Sequence, residues 1–110
     1  MREIYTPNYT QGRGQYRPRA IVVHITGGSS FSAISWFQNP ASQVSSHYLV
    51  AEDGDVVKLV KEEDTAWHAG KVVNPRWQGI ISGVNPNLYT IGIEVAIPNA
   101  KQMPTWKQWI

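Results

Sequence analysis

Cysteine is absent from this 110-residue chain, which excludes both a disulfide framework and thiolate ligands for a metal. No stretch is long and apolar enough to serve as a membrane span. The opening MREIYTPNYT lacks the apolar run of a secretory signal. Synthesis in the cytoplasm is therefore expected, and reaching an extracellular target would need lysis, a pore or another export route. Charge is scarce too: charged residues make up 16% and the net charge is +2. Arg2, Arg13, Arg17 and Arg19 lie near the start, with Glu62, Glu63 and Asp64 together in the middle. Such weak and scattered charge is not a nucleic-acid footprint, although it would tolerate an anionic polymer.

What is present is a globular composition, 42% apolar, in a length that suits one domain with one modest core. Five tryptophans are many for this length. Their amphipathic rings suit cores, clefts or sugar-binding surfaces, and for most of them the core is the expected place. Residues 1–18 read as an irregular arm or edge strand. Ala20 to Ile25, AIVVHI, is a β-branched run that predicts a buried central strand. A Gly-Ser loop follows, in which Ser29 or Ser30 can cap a helix over FSAISWFQ. Phe31, Ile34 and Phe37 are expected on one face of that helix, and Asn39-Pro40 ends it. HYLVA and VVKLV, joined across Asp53-Gly54, predict a hairpin. Residues 69–87 form a long Gly-, Asn- and Pro-containing loop of the kind that is usually functional or mobile. Leu88 to Ala96 predicts a second buried strand. Thr105 reads as the N-cap of a helix opened by Trp106, Trp109 and Ile110. A helix of one or two turns is unstable alone, so the expectation is a chain truncated within a larger domain.

Three histidines and one glutamate stand out. His24 sits near the C-terminal end of a strand, just before a Gly-rich loop, where open α/β sheets place ligands. It reads either as a hydrogen-bonded core histidine or as a zinc ligand held by a partner on its other nitrogen. His47 opens a strand and reads as structural. His68, beside Trp67 in AWHAG, suits a sugar or peptide contact, or a solvent-facing turn. Glu94 interrupts the apolar stretch IGIEVA. Buried, it would be costly unless paired, neutralised or near a metal, and it would be a candidate general base; simple alternation would instead place it on a solvated face.

The elements IVVHIT, SAISWFQNP, VSSHYLVAEDGDVVKLV, TAWHAG and TIGIEVA, in this order, resemble the type-2 N-acetylmuramoyl-L-alanine amidase family. That family includes phage endolysins, wall-recycling amidases and the peptidoglycan recognition proteins. The resemblance covers roughly residues 18–97. It implies an α/β fold, a mixed β-sheet flanked by helices, with zinc held in a groove by two histidines and an Asp or Cys. His24 matches the first metal ligand and Glu94 the carboxylate that activates the hydrolytic water. Trp67 and His68 match substrate-binding groove residues, and His47 a position kept for the fold. The implied reaction is hydrolysis of the amide between N-acetylmuramic acid and L-alanine, with peptidoglycan or muropeptide as partner and neither nucleic acid nor membrane.

Two departures qualify the match. Some members carry a catalytic tyrosine at the position of Ser46, so Glu94 gains weight here. The family's second histidine, third ligand and a helpful lysine lie beyond the helix expected at Thr105, and one ligand cannot hold a tetrahedral catalytic zinc. The resemblance therefore also allows a non-catalytic wall-binding module, or one half of a two-piece amidase with a complementing C-terminal segment. Self-association through an uncovered sheet face is a further expectation. A three-histidine zinc enzyme using His24, His47 and His68 is disfavoured, because alternation does not converge the three.

Overall fold

A computed structural model describes residues 1–70, 77–97 and 108. The N-terminal arm contributes two short strands, β1 (Arg2–Glu3) and β2 (Tyr9–Thr10). Strand β3 (Ala20–Ile25) leads into helix α1 (Ser30–Gln38). Next come β4 (Tyr48–Val50), β5 (Val56–Lys58), β6 (Thr65–Ala66) and, after a 3₁₀ turn over Pro86–Tyr89, β7 (Thr90–Val95). A five-stranded sheet runs in the order β1-β5-β4-β7-β3, and β2 pairs with β6 in a separate two-stranded ribbon. The main sheet is mixed: β3 and β4 both run parallel to β7, while β4 and β5 form an antiparallel hairpin. Its turn contains Gly54 at φ 87°, a left-handed conformation that favours glycine.

Local chemistry sets the ends of α1. The Ser29 side chain accepts from the Ser32 N–H at 3.1 Å, as an N-cap should. At the other end Asn39 takes extended backbone before Pro40, and its Oδ1 accepts from Ala41 N to start a 3₁₀ turn. The helix lays Phe37 onto Leu49, Ala51, Val57 and Leu59, with Ile34 and Ala33 packed beside them. Phe31, expected on the same face, is instead 81% exposed. Positions 31 and 37 are six residues apart and so differ by about 120° around a helix, too wide for this short contact.

The arm is pinned by buried polar groups rather than by apolar packing. Asn8, 2% exposed, places Nδ2 within 3.0–3.1 Å of the carbonyls of Phe37, Asn39 and Val44 and of Ser42 Oγ. Arg13, 5% exposed, donates to the carbonyls of Glu62, Asn87, Leu88 and Thr90. One side chain thus joins the arm, the turn after β5 and the start of β7.

Two expectations are corrected. Strand β3 is an edge strand among the described residues, not a central one, and Ile21, Val23 and Ile25 are 50–64% exposed. Its β-branched run reflects pairing with β7 over six residues rather than cover on both faces. None of the tryptophans 36, 67 and 77 is in the core; Trp106 and Trp109, with the helix expected at Thr105, lie outside the described residues. Gln108 is helical and donates to the carbonyl of Ala96 at 2.8 Å.

Candidate active site

The parallel pairing of β3 with β7 sets His24 and Glu94 as direct neighbours in register. Both line a pocket of about 500 Å³. Helix α1 supplies one wall through Ser32, Ala33, Trp36 and Phe37, and Thr26, Val44, Ser45, Trp67 and His68 complete the lining. The four residues singled out in the sequence as site candidates, His24, Trp67, His68 and Glu94, are therefore brought into one cavity.

Burial governs their protonation. Desolvation raises the Glu94 carboxyl from 4.5 to about 7. It also lowers His24 and His47 below their usual value. His68 falls to about 3, through burial first and then through the nearby His24, His47 and Arg13. The pocket thus holds neutral imidazoles beside a carboxyl poised to exchange a proton near neutrality.

Trp67 and His68 are fixed by the ribbon and the turn beneath them. Ser45 Oγ accepts from Trp67 N at 3.0 Å, and the indole Nε1–H donates to Thr10 Oγ1 at 3.0 Å. Asn87 Oδ1 accepts the N–H groups of His68 and Ala69 at 3.2 and 2.8 Å. The His68 ring has Nδ1 3.3 Å from His24 Nε2 and Nε2 2.9 Å from Thr90 Oγ1. Gly92 makes room for it: a Cβ at that position would stand 2.4 Å from His68 Cγ.

His47 is fully buried and structural. Its Nδ1 accepts the Gly92 N–H at 3.1 Å, and Nε2, 2.9 Å from the Asp64 carbonyl, donates to it. The Arg13 guanidinium packs 2.9 Å from the same nitrogen. Although its ring centroid is 6.1 Å from that of His68, both nitrogens are committed to the backbone, so His47 is not available as a ligand. Among the described residues no group of three His, Cys, Asp or Glu could hold a metal.

Sequence reasoning missed Trp36, Thr90 and Arg13. Trp36 is 56% exposed and lines the pocket; a large aromatic on the solvent side of an otherwise apolar helix stripe was the available signal. Thr90 and Arg13 gave none, since their partners are distant in sequence.

A half-buried histidine and a desolvated glutamate, paired across parallel strands beneath an aromatic-walled groove, place a ligand-binding surface beside a group that can exchange a proton. Residues 14–109 match the N-acetylmuramoyl-L-alanine amidase family model, and the chain belongs to that family. Over 88 residues it is 41% identical to N-acetylmuramoyl-L-alanine amidase A of Achromobacter lyticus, a match covering 79% of this chain and 41% of that protein. A crystal structure of AmpD superposes with a TM-score of 0.76 at 25% identity, covering 98% of this chain and 66% of that one. A mutant endolysin from Bacillus subtilis gives a TM-score of 0.61 at 22% identity, over 94% of this chain and 64% of that one; it speaks for the fold alone. The chain thus spans less than two thirds of the length of each of these relatives.

Proposed function

We propose that this chain carries the proton-transfer side and substrate groove of a zinc-dependent N-acetylmuramoyl-L-alanine amidase, which hydrolyses the lactyl amide between N-acetylmuramic acid and L-alanine in peptidoglycan. The observation that carries the reading is the His24–Glu94 pair in register at the pocket, with Glu94 raised to about 7. Family membership supplies the reaction class.

In this reading Glu94 is the general base and then the general acid. A carboxyl near neutrality takes a proton from water and returns it to the leaving amine with little loss in either direction. Trp36 and Trp67 offer flat apolar faces on which a sugar ring or the stem peptide can lie. The Trp67 indole is held by Thr10, so its face is preorganised. His68 stays neutral and presents no competing positive charge.

The donor chemistry fits one position of a zinc site. His24 is a neutral imidazole on the pocket, with one ring nitrogen against His68 and no described residue hydrogen-bonded to the other. Zinc, when bound, supplies the Lewis acidity that polarises the amide carbonyl and acidifies water. The remaining ligands are assigned to the part of the family domain that this chain does not span. This assignment makes the chain the N-terminal part of a single amidase domain. The wall is its site of action, whether reached by phage lysis or by export.

The test is release of L-alanyl peptides from purified peptidoglycan by the zinc-loaded protein spanning the whole family domain. Activity lost in both Glu94→Gln and His24→Ala, with folding kept, is the expected result. Turnover near wild type in Glu94→Gln would reject the assignment of Glu94.

A further inference from the structure

Hydrogen-bond logic around His68 decides where the protons sit. The Thr90 hydroxyl has one hydrogen, and Thr90 Oγ1 lies 2.8 Å from the Pro86 carbonyl, which can only accept. That hydrogen therefore goes to Pro86. Thr90 Oγ1 is left as an acceptor toward His68 Nε2 at 2.9 Å, so His68 carries its proton on Nε2. The opposite arrangement would set two oxygen lone pairs against each other at 2.8 Å. With Nε2 protonated, neutral His68 has its lone pair on Nδ1, which faces His24 Nε2 at 3.3 Å. His24 must then donate from Nε2, and its own lone pair is on Nδ1, where no described residue is hydrogen-bonded.

We propose that Thr90 is a positioning residue for His24, acting through His68: the chain Pro86 carbonyl, Thr90 hydroxyl, His68 ring, His24 ring fixes His24 as the Nε2–H tautomer and leaves Nδ1, which no described residue hydrogen-bonds, as its ligand atom. The ligand part rests on the proposed function, whereas the tautomers do not. Several features hold the chain in place. Thr90 is 2% exposed, so water does not compete for its oxygen. Asn87 anchors the His68 backbone from the 3₁₀ turn that also carries Pro86. The absence of a Cβ at Gly92 lets the ring lie between Thr90 and His24. A histidine free in solution interchanges its tautomers; here the second nitrogen of the prospective ligand is fixed before any ion arrives, which favours binding.

The experiment is long-range ¹H–¹⁵N correlation of the imidazole rings in the ¹⁵N-labelled, metal-free chain at neutral pH. It reads the tautomer of each histidine in the wild-type protein and so does not depend on any variant folding. His68 and His24 are both expected as Nε2–H. An Nδ1–H signature on either ring overturns the proposal. Thr90→Val, which keeps the shape and removes the acceptor, is expected to give mixed tautomers at both rings, and Thr90→Ser to restore the wild-type pattern. A Thr90→Val protein that folds and keeps both wild-type tautomers would also overturn it. Zinc titration with chelator competition, on the protein spanning the whole family domain, gives a second readout, expected to be roughly 10–100-fold weaker for Thr90→Val, the range for lost outer-shell partners. Wild-type tautomers as stated, together with zinc affinity unchanged in His24→Ala, would uphold the relay and remove His24 from the ligand set.

Discussion

Replacing Glu94 by glutamine should stabilise the fold while removing its chemistry. Glutamine reproduces the shape of the protonated carboxyl and cannot ionise. In the native protein Glu94 keeps its proton to about pH 7, whereas in the unfolded chain it releases it near 4.5. Between those values the native state binds more protons than the unfolded state, so this residue's contribution to stability falls as pH rises. It is fully present below 4.5 and lost by the time pH passes 7. At 1.36 kcal/mol per pKa unit the upper bound is about 3.4 kcal/mol. Glu94 is only partly buried, and solvent screening brings the expected difference to about 1–2 kcal/mol. His24, His47 and His68 act with the opposite sign. Their lowered values make the unfolded state bind more protons below pH 6.5, so both proteins weaken in acid. That term cancels in the comparison. Urea unfolding followed by tryptophan fluorescence from pH 4 to pH 8 reads the difference directly. Equal stability is expected near pH 4, with Glu94→Gln more stable by about 1–2 kcal/mol at pH 8, or roughly 4–8 °C in Tm per kcal/mol. A difference that does not change with pH, or a wild-type protein that is the more stable at pH 8, would refute the desolvation argument.

Other substitutions address separate links. Arg13→Met should cost at least about 2 kcal/mol in urea unfolding, because it strands the buried bonds to the carbonyls of Asn87 and Thr90; a loss below about 1 kcal/mol would show that water replaces the guanidinium. Trp36→Ala should leave stability within about 0.5 kcal/mol, as at exposed sites generally, yet weaken muropeptide binding in calorimetry, since Trp36 is 56% exposed and lines the pocket. Trp67→Ala should weaken the same binding and cost less than the roughly 3–5 kcal/mol of emptying a fully buried Trp site. Zinc should bind the 110-residue chain only weakly, because the described residues hold no three-ligand group; one tight zinc per chain by calorimetry would contradict this. The exposed row Ile21, Val23 and Ile25 should drive concentration-dependent self-association. Sedimentation should show Ile21→Thr with Val23→Thr reducing it, and an unchanged profile would dismiss that face as the cause.

How much was legible in the sequence varies with the range of the interactions involved. Patterns that repeat over a few residues carried through: Ser29 as a cap, Asn39-Pro40 as a stop, Asp53-Gly54 as a hairpin turn. Glu94 stood out because a carboxylate in an apolar strand is costly wherever that strand packs. His24 and Glu94 were visible singly, and the order of the elements was enough to show the family resemblance. Composition alone excluded disulfides and thiolate ligands.

Tertiary structure decided what depends on partners far along the chain. Only the register of β3 on β7 sets His24 beside Glu94, 70 positions apart in sequence. Local β-propensity reports a liking for strands but not a place in the sheet, so AIVVHI looked central while the sheet order puts it at an edge. The tryptophans looked like core for the same reason; a ring's hydrophobicity does not say which side of a helix meets the sheet. The tautomers of His24 and His68 follow from which single hydrogen a threonine hydroxyl gives to which carbonyl. That choice exists only once Pro86, Thr90, His68 and His24 are brought within 3.3 Å of one another in turn, because hydrogen bonds act over ångströms and a sequence specifies no distances.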